Sequence, residues 1–425
     1  MERIFTITVF VITYYLIIRG KLKRSIVAFS AGMLIVTAKI IEDFKTSNVG
    51  TYIDFNTIGL LIGMMIVVAI LRGTGFFEYV AIGVVKISRG NLKLLFGSFI
   101  VVTALFSAFL DNVTTILLFS PILLLISDSL DLNPAPLIFS LVLAANFGGT
   151  ATMIGDPPNI LIGSASGEGF LSFIYQLFPI VAIVLLLYGL FFTKKYIARM
   201  EVQQSKLRHL MNLDMSKIIT SKRELIKSIS VFLAIIIAFI LHERLDYEAA
   251  TVALAGAAVA MLLSGKDFSD LARDIEWDTI FFFIGLFMLS YGLKAVGITD
   301  MVSNVIARAY TNEVLLYTLV LWLTAVVGGF IGAVPVVTVM IPIIKTLITV
   351  HGVPSDIWWV LSIGACFGGS ATMTGAAANM VGTALLEKNM NKAMGFREYL
   401  RFALFPTFMS LIMGNIYIIV RYGGR

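Results

Sequence analysis

Apolar residues run along this chain in long blocks, without the alternation of a half-buried strand or the narrow stripe of a soluble helix. Twelve blocks are legible, at 4–18, 25–41, 55–71, 94–127, 137–165, 170–193, 225–241, 247–263, 278–293, 314–350, 357–386 and 399–420. Most approach the roughly 20 residues that a helix needs to cross a hydrocarbon core. The pattern therefore predicts an all-α polytopic membrane protein. Two blocks, 94–127 and 314–350, are about double length, and Gly-rich polar breaks interrupt two others, 137–165 and 357–386.

Composition agrees with the pattern. Hydrophobic residues make up 58% of the 425 and charged residues 14%, a balance outside that of soluble domains. The first block is followed by Arg19, Lys21, Lys23 and Arg24 instead of a small-residue cleavage site, and is expected to stay as a helix. The net charge of +6 calls for no nucleic-acid partner, because the basic residues cluster in loops that a single orientation gathers on one side. With the N-terminus outside, stretches 19–24, 72–93, 194–227, 266–273 and 388–401 face the cytoplasm and carry most of the 32 lysines and arginines. Both termini are then expected outside a plasma membrane that the chain crosses many times. The single cysteine, Cys366, excludes an internal disulfide and is expected to be a small buried helix residue.

The chain repeats itself. IDFNTI at Ile53–Ile58 matches IEWDTI at Ile275–Ile280, Pro121 matches Pro342, and FGGTATMIGDPPN at Phe147–Asn159 matches FGGSATMTGAAAN at Phe367–Asn379, all at offsets of 220 to 222. So steady an offset indicates an internal duplication of residues 1–193 as 225–425, joined by a polar cytoplasmic connector at 194–224. If each double-length block is a hairpin that returns to its own side, each half makes five crossings and the halves are inverted. Charge counting alone does not separate such a hairpin from two full crossings.

Chemistry concentrates at the hairpin tips and the breaks. SAFLDNVTTILLFSP (Ser107–Pro121) sets Asp111, Asn112, Thr114 and Thr115 between two apolar arms. An acid at that depth costs several kcal/mol, roughly 2.5 to 3.5 on insertion scales, so such residues usually face a polar cavity and a ligand. The competing role is capping of the second arm by Asp111 or Asn112. In the break, Gly148, Gly149 and Gly155 free the backbone, and Asp156 before Pro157 and Pro158 reads as an N-cap that restarts a half-helix. That half-helix offers its positive dipole end to an anion, with Thr150, Thr152 and Asn159 contributing hydroxyl and amide groups.

The second half keeps the break through Gly369, Ser370, Thr372 and Asn379 but loses the acids. Gly332 and Ala333 stand for Asp111 and Asn112, Pro335 for Thr114, and Ala376–Ala378 for Asp156–Pro158. Charge chemistry is thus expected from the first half alone. Lys345 is expected to snorkel toward the outer surface, and Lys39, Glu42, Asp43 and Lys294 to lie near helix ends. His209, His242 and His351 have no companion at metal-binding spacing. No Walker loop, zinc-protease helix or nucleophile elbow is present in the sequence, which disfavours a pump driven by ATP or an enzyme.

DNVTT and GGTATMIGDPPN resemble motifs of the ion transporter superfamily, in particular the group of arsenite permeases, NhaD-type sodium/proton antiporters and melanosomal P proteins. The resemblance spans essentially the whole chain. It implies about ten transmembrane crossings plus two re-entrant hairpins facing two discontinuous helices, a homodimer held by scaffold helices, and elevator-type alternating access. Members often carry an Asp-Asn pair in the second hairpin too, where this chain has Gly332 and Ala333. The expected function is secondary active transport of a small inorganic ion or oxyanion, with arsenite or antimonite efflux favoured. The coupling ion is a proton, or sodium held at Asp111, Asn112 and Asp156. A sodium/proton antiporter, a carboxylate or silicate carrier, and a passive channel are the alternatives.

Overall fold

The computed structural model describes residues 1–40, 48–200, 202, 218–308 and 312–423. Glu42, Asp43, His209 and most of the 194–224 connector lie outside them. Nineteen α-helices and no strand are found among the described residues.

The first half contains α1 (Glu2–Arg19), α2 (Arg24–Thr37), α3 (Phe55–Arg72), α4 (Phe76–Ile87), α5 (Leu92–Ser107), α6 (Asn112–Ser129), α7 (Pro134–Gly149), α8 (Pro157–Ser166) and α9 (Phe170–Lys195). The second contains α10 (Lys222–Leu241), α11 (Ala249–Ser264), a four-residue α12 (Phe268–Leu271), α13 (Trp277–Ala295), α14 (Ile298–Arg308), α15 (Glu313–Ile331), α16 (Ala333–His351), α17 (Ile357–Gly368), α18 (Ala377–Met390) and α19 (Phe396–Tyr422). Leaving out α12, the nine helices of one half follow the same order as the nine of the other. Eight helices among the described residues are long and apolar enough to cross a membrane: α3, α6, α9, α10, α13, α15, α16 and α19.

Two helices escape the hydropathy pattern. The counterparts α4 and α14 fall between the apolar blocks because Glu78 and Lys86 in one, and Asp300, Asn304 and Arg308 in the other, dilute their apolar faces. Only one side of each is buried, so neither forms a continuous apolar run.

The halves run in opposite directions. Asp54, just before α3, and Lys294, in the last turn of its counterpart α13, line one cavity, so the start of one helix lies beside the end of its equivalent. The same pseudo-twofold relation appears in the packing of α3 on α11 and of α13 on α2. A Cβ on Gly63 would stand 2.6 Å from the carbonyl carbon of Ala253, and one on Gly285 2.3 Å from that of Ala28. Backbones approach this closely only where no side chain intervenes, the small-residue packing by which helices associate in lipid.

Each hairpin tip is pinned to the break of its own half. The Thr152 hydroxyl donates to the Ala108 carbonyl at the α5–α6 tip, and the Thr372 hydroxyl donates to the Gly329 carbonyl near the α15–α16 tip. Gly332 makes the second tip possible with φ of 115°, a conformation that a side chain resists. The hairpins also interlock across halves, α6 and α7 packing on α18, and α8 on α16 and α17. Both tips and both breaks therefore meet at one level. Both hairpins stop at the same cavity.

Candidate functional site

Four helices begin at one cavity of about 80 Å³. The residues that precede them, Asp111 before α6, Asp156 before α8, Gly332 before α16 and Ala376 before α18, all line it. Each helix N-terminus carries roughly half a positive charge, so the four together present about +2 to the cavity. The carboxylates of Asp111 and Asp156 bring −2. Arg24, from the start of α2, and Glu276, just before α13, add one charge of each sign at the wall. Counted with every acid ionised, these charges sum to zero.

The two aspartates are held differently. Asp111 does both things its position allows: one carboxylate oxygen accepts from the Thr114 amide at 2.8 Å, capping α6, while the residue faces the cavity. Asp156 sits at the N-cap position of α8 with extended backbone, yet its side chain makes no cap hydrogen bond, contrary to the capping role expected from sequence. The reason is local. Pro157 and Pro158 supply no amide hydrogen, and the next amide, that of Asn159, donates to the Asp156 backbone carbonyl at 2.9 Å. The freed carboxylate instead accepts from the Asn112 amide at 3.2 Å.

Behind this wall the two halves are tied by amides. Asn112 Nδ2 also donates to Asn146 Oδ1 at 3.2 Å, and Asn146 Nδ2 donates to Asn379 Oδ1 at 2.7 Å. Asn379 Nδ2 in turn holds the Gly369 and Thr372 carbonyls of the second break at 2.8 and 2.7 Å. The pseudo-equivalent set runs the other way. Asn159 Nδ2 holds the Thr150 and Thr152 carbonyls at 3.1 and 2.9 Å, and its Oδ1 accepts from Ser362 Oγ at 2.6 Å and from Cys366 Sγ at 3.4 Å. Cys366 stands 220 residues after Asn146 and occupies the same place in the repeat.

Of the residues singled out from sequence, Asp111, Asn112, Asp156 and Pro335 line the cavity. Thr114 and Thr115 lie in the first turn of α6, where the Thr115 hydroxyl donates to the Asp111 carbonyl at 3.0 Å. Thr150, Thr152, Asn159, Ser370, Thr372 and Asn379 are buried in the wall and spend their polar groups on backbone carbonyls of the breaks and tips. Gly149 and Gly369 permit the close return of each break on itself, since a Cβ there would stand 2.6 and 3.2 Å from the Gly155 and Gly375 oxygens.

Sequence reading missed Arg24, Glu276 and Asn146 as parts of this site. Arg24 is hidden in the basic cluster at 19–24, although its guanidinium reaches the Thr374 carbonyl of the second break at 3.2 Å. Glu276 falls inside the very IEWDTI motif that reveals the repeat, matched to Asp54. Asn146 is a lone amide at the end of the apolar run LVLAAN, a signal of the same kind as Asp111.

Comparison with known proteins gives a family and a fold. The family model described as CitMHS, citrate transporter, matches residues 14–364. A 46 kDa membrane protein of Mycobacterium leprae is 37% identical over 99% of both chains, and an uncharacterized transporter of Mycobacterium tuberculosis is 36% identical over 99% of both. The human P protein is 28% identical, covering 96% of this chain and 59% of that longer protein. Among solved structures, the YdaH transporter of Alcanivorax borkumensis superposes with a TM-score of 0.59 at 14% identity, over 89% of this chain and 88% of that one, a likeness of fold.

Proposed function

Because the chain belongs to the CitMHS citrate transporter family and is a multi-pass membrane transporter, we propose that it is a secondary active transporter of a small inorganic solute, with arsenite or antimonite export the favoured activity. The observation that carries this reading is the convergence of four helix N-termini on a cavity whose two aspartates both come from the first half. An oxyanion is held by the helix ends and by Arg24. A proton or sodium ion at Asp111 and Asp156, with Asn112 beside them, loads the carrier for its return, so that cation entry drives solute exit. The size supports an inorganic cargo, since about 80 Å³ is well below the roughly 300 Å³ at which pockets for organic ligands begin.

The packing supports alternating access. The hairpins and breaks of both halves interlock as one body, while α2, α3, α11 and α13 pair closely among themselves at Gly63 and Gly285. We take the first as the moving element and the second as the frame, held in a homodimer in the plasma membrane. The Arg24 and Glu276 end faces the cytoplasm and both termini lie outside. A cargo shifts this equilibrium only if it binds the two states with different affinity.

A second reading, transport of a citrate-like carboxylate, is favoured by the family's description and by the Arg24 guanidinium at the wall. It requires the cavity to widen. Proteoliposomes loaded in turn with arsenite, antimonite and citrate, under imposed sodium or proton gradients, separate the readings. Gradient-driven movement of the oxyanions without citrate supports the first, and movement of citrate alone supports the second.

A further inference from the structure

A second polar cavity, of about 470 Å³, opens toward the far ends of α8, α13 and α16. Its wall carries Lys294 in the last turn of α13 and Lys345 on α16, with Asp54 before α3. Lys345 stands twelve residues after Ala333, so the ammonium pair lies roughly 18 Å along α16 from the central cavity at the usual helical rise. The two sites are separate.

Among the described residues the balance of charge there is incomplete. Lys345 lies within electrostatic reach of both Lys294 and Asp54. Asp54 is committed elsewhere: one oxygen accepts from the Asn56 and Thr57 amides at 3.0 and 3.2 Å, and the other from the Thr57 hydroxyl at 2.6 Å, which together cap α3. Asp300, on α14, is the other acid near the rim, 3.3 Å from the Thr346 hydroxyl. Among the described residues neither lysine ammonium has a hydrogen bond or an ion pair. Two like charges therefore share one polar pocket. A pair of ammonium groups in one pocket is a donor set that a multivalent anion recruits.

We propose that the Lys294 and Lys345 cavity is an anion-binding vestibule, occupied by a small multivalent oxyanion, whether a di- or tricarboxylate or an inorganic one such as sulfate. The anion bridges the two ammonium groups and relieves their repulsion. Its binding does not depend on what the central cavity carries. It gives these lysines a role beyond the snorkelling and interfacial placement expected from sequence.

Amine footprinting reads the site directly. The full chain in detergent is labelled with acetic anhydride while citrate or sulfate is titrated against sodium chloride of matched ionic strength, and labelling is followed by peptide mass spectrometry. Labelling of Lys294 and Lys345 is expected to fall saturably, while that of Lys93 on α5 does not change. Protection by one anion and not the other identifies the source. In Lys345→Gln, protection of Lys294 should weaken about tenfold, the value of one lost charge-assisted hydrogen bond, and Lys345→Arg should retain it. Protection no greater than that given by chloride, equal protection of Lys93, or unchanged protection in Lys345→Gln overturns the proposal.

Discussion

Asn146 of the first half donates a 2.7 Å hydrogen bond to Asn379 of the second, joining the two breaks through a pair of fully buried amides. The bond closes a chain that begins at the Asp156 carboxylate, passes through Asn112 and ends on the Gly369 and Thr372 carbonyls. Replacing Asn146 with Leu removes the link and leaves the Asn379 oxygen and the Asn112 amide short of a partner in an apolar wall. The expected cost is about 1–3 kcal/mol, read as a lower thermal midpoint in detergent together with a larger fractional loss of flux.

The repeat supplies a control for that experiment. Cys366 holds the equivalent place, but its thiol is a weak donor at 3.4 Å, and Ser362 already serves the same Asn159 oxygen at 2.6 Å. Cys366→Ala is expected to leave the midpoint within about 1 kcal/mol of the parent. A drop as large as that of Asn146→Leu would show that the two networks are equally taut.

The frame is predicted to be intolerant at two glycines. A Cβ on Gly285 would stand 2.3 Å from the Ala28 carbonyl carbon and one on Gly63 2.6 Å from that of Ala253, so Gly285→Ala and Gly63→Ala must push backbones apart. Each should destabilise by about 1–3 kcal/mol. Gly97, above which a Cβ meets nothing within 4 Å, gives the comparison. Gly97→Ala should be neutral or slightly stabilising in the same thermal assay.

Much of this was legible before the fold was known, and the exceptions share a cause. The repeat and the two breaks follow from Gly, Pro and Asp placed inside apolar runs, because a polar or helix-breaking residue in such a run has few reasons to be there, while re-entrant hairpins are what the resemblance implies. Asp111, Asn112 and Asp156 were found by that logic, and the membership implied by DNVTT and GGTATMIGDPPN is shown by the family match. Arg24 and Glu276 were not found, since at a helix end a charge has an ordinary explanation and only the crossing of α2 with α13 brings them to the cavity. Thr152 and Asn159 show the opposite limit. Sequence places them at the break, but whether a hydroxyl or amide faces the cavity or ties down a carbonyl depends on side-chain direction, which spacing does not encode.

The two aspartates should separate by role. Asp156→Asn keeps a side-chain oxygen toward Asn112 but removes its charge, so the fold should persist with a midpoint shift under about 1 kcal/mol while gradient-driven flux falls. Asp156→Leu also takes one of the two acceptors from the Asn112 amide and is expected to destabilise by about 1–3 kcal/mol. Thermal midpoints and flux measured on both variants check this ordering.

The central claim is that Asp111 couples cation to solute at the meeting point of the four helix ends. It is tested most directly by concentrative flux in proteoliposomes made with parent and Asp111→Asn, under an imposed sodium or proton gradient, with the solute identified by the panel above. The prediction is that the parent accumulates solute against its gradient, and that Asp111→Asn loses accumulation while a folded, monodisperse protein remains. Accumulation that survives in Asp111→Asn, or solute movement in the parent that is indifferent to both gradients, would contradict it.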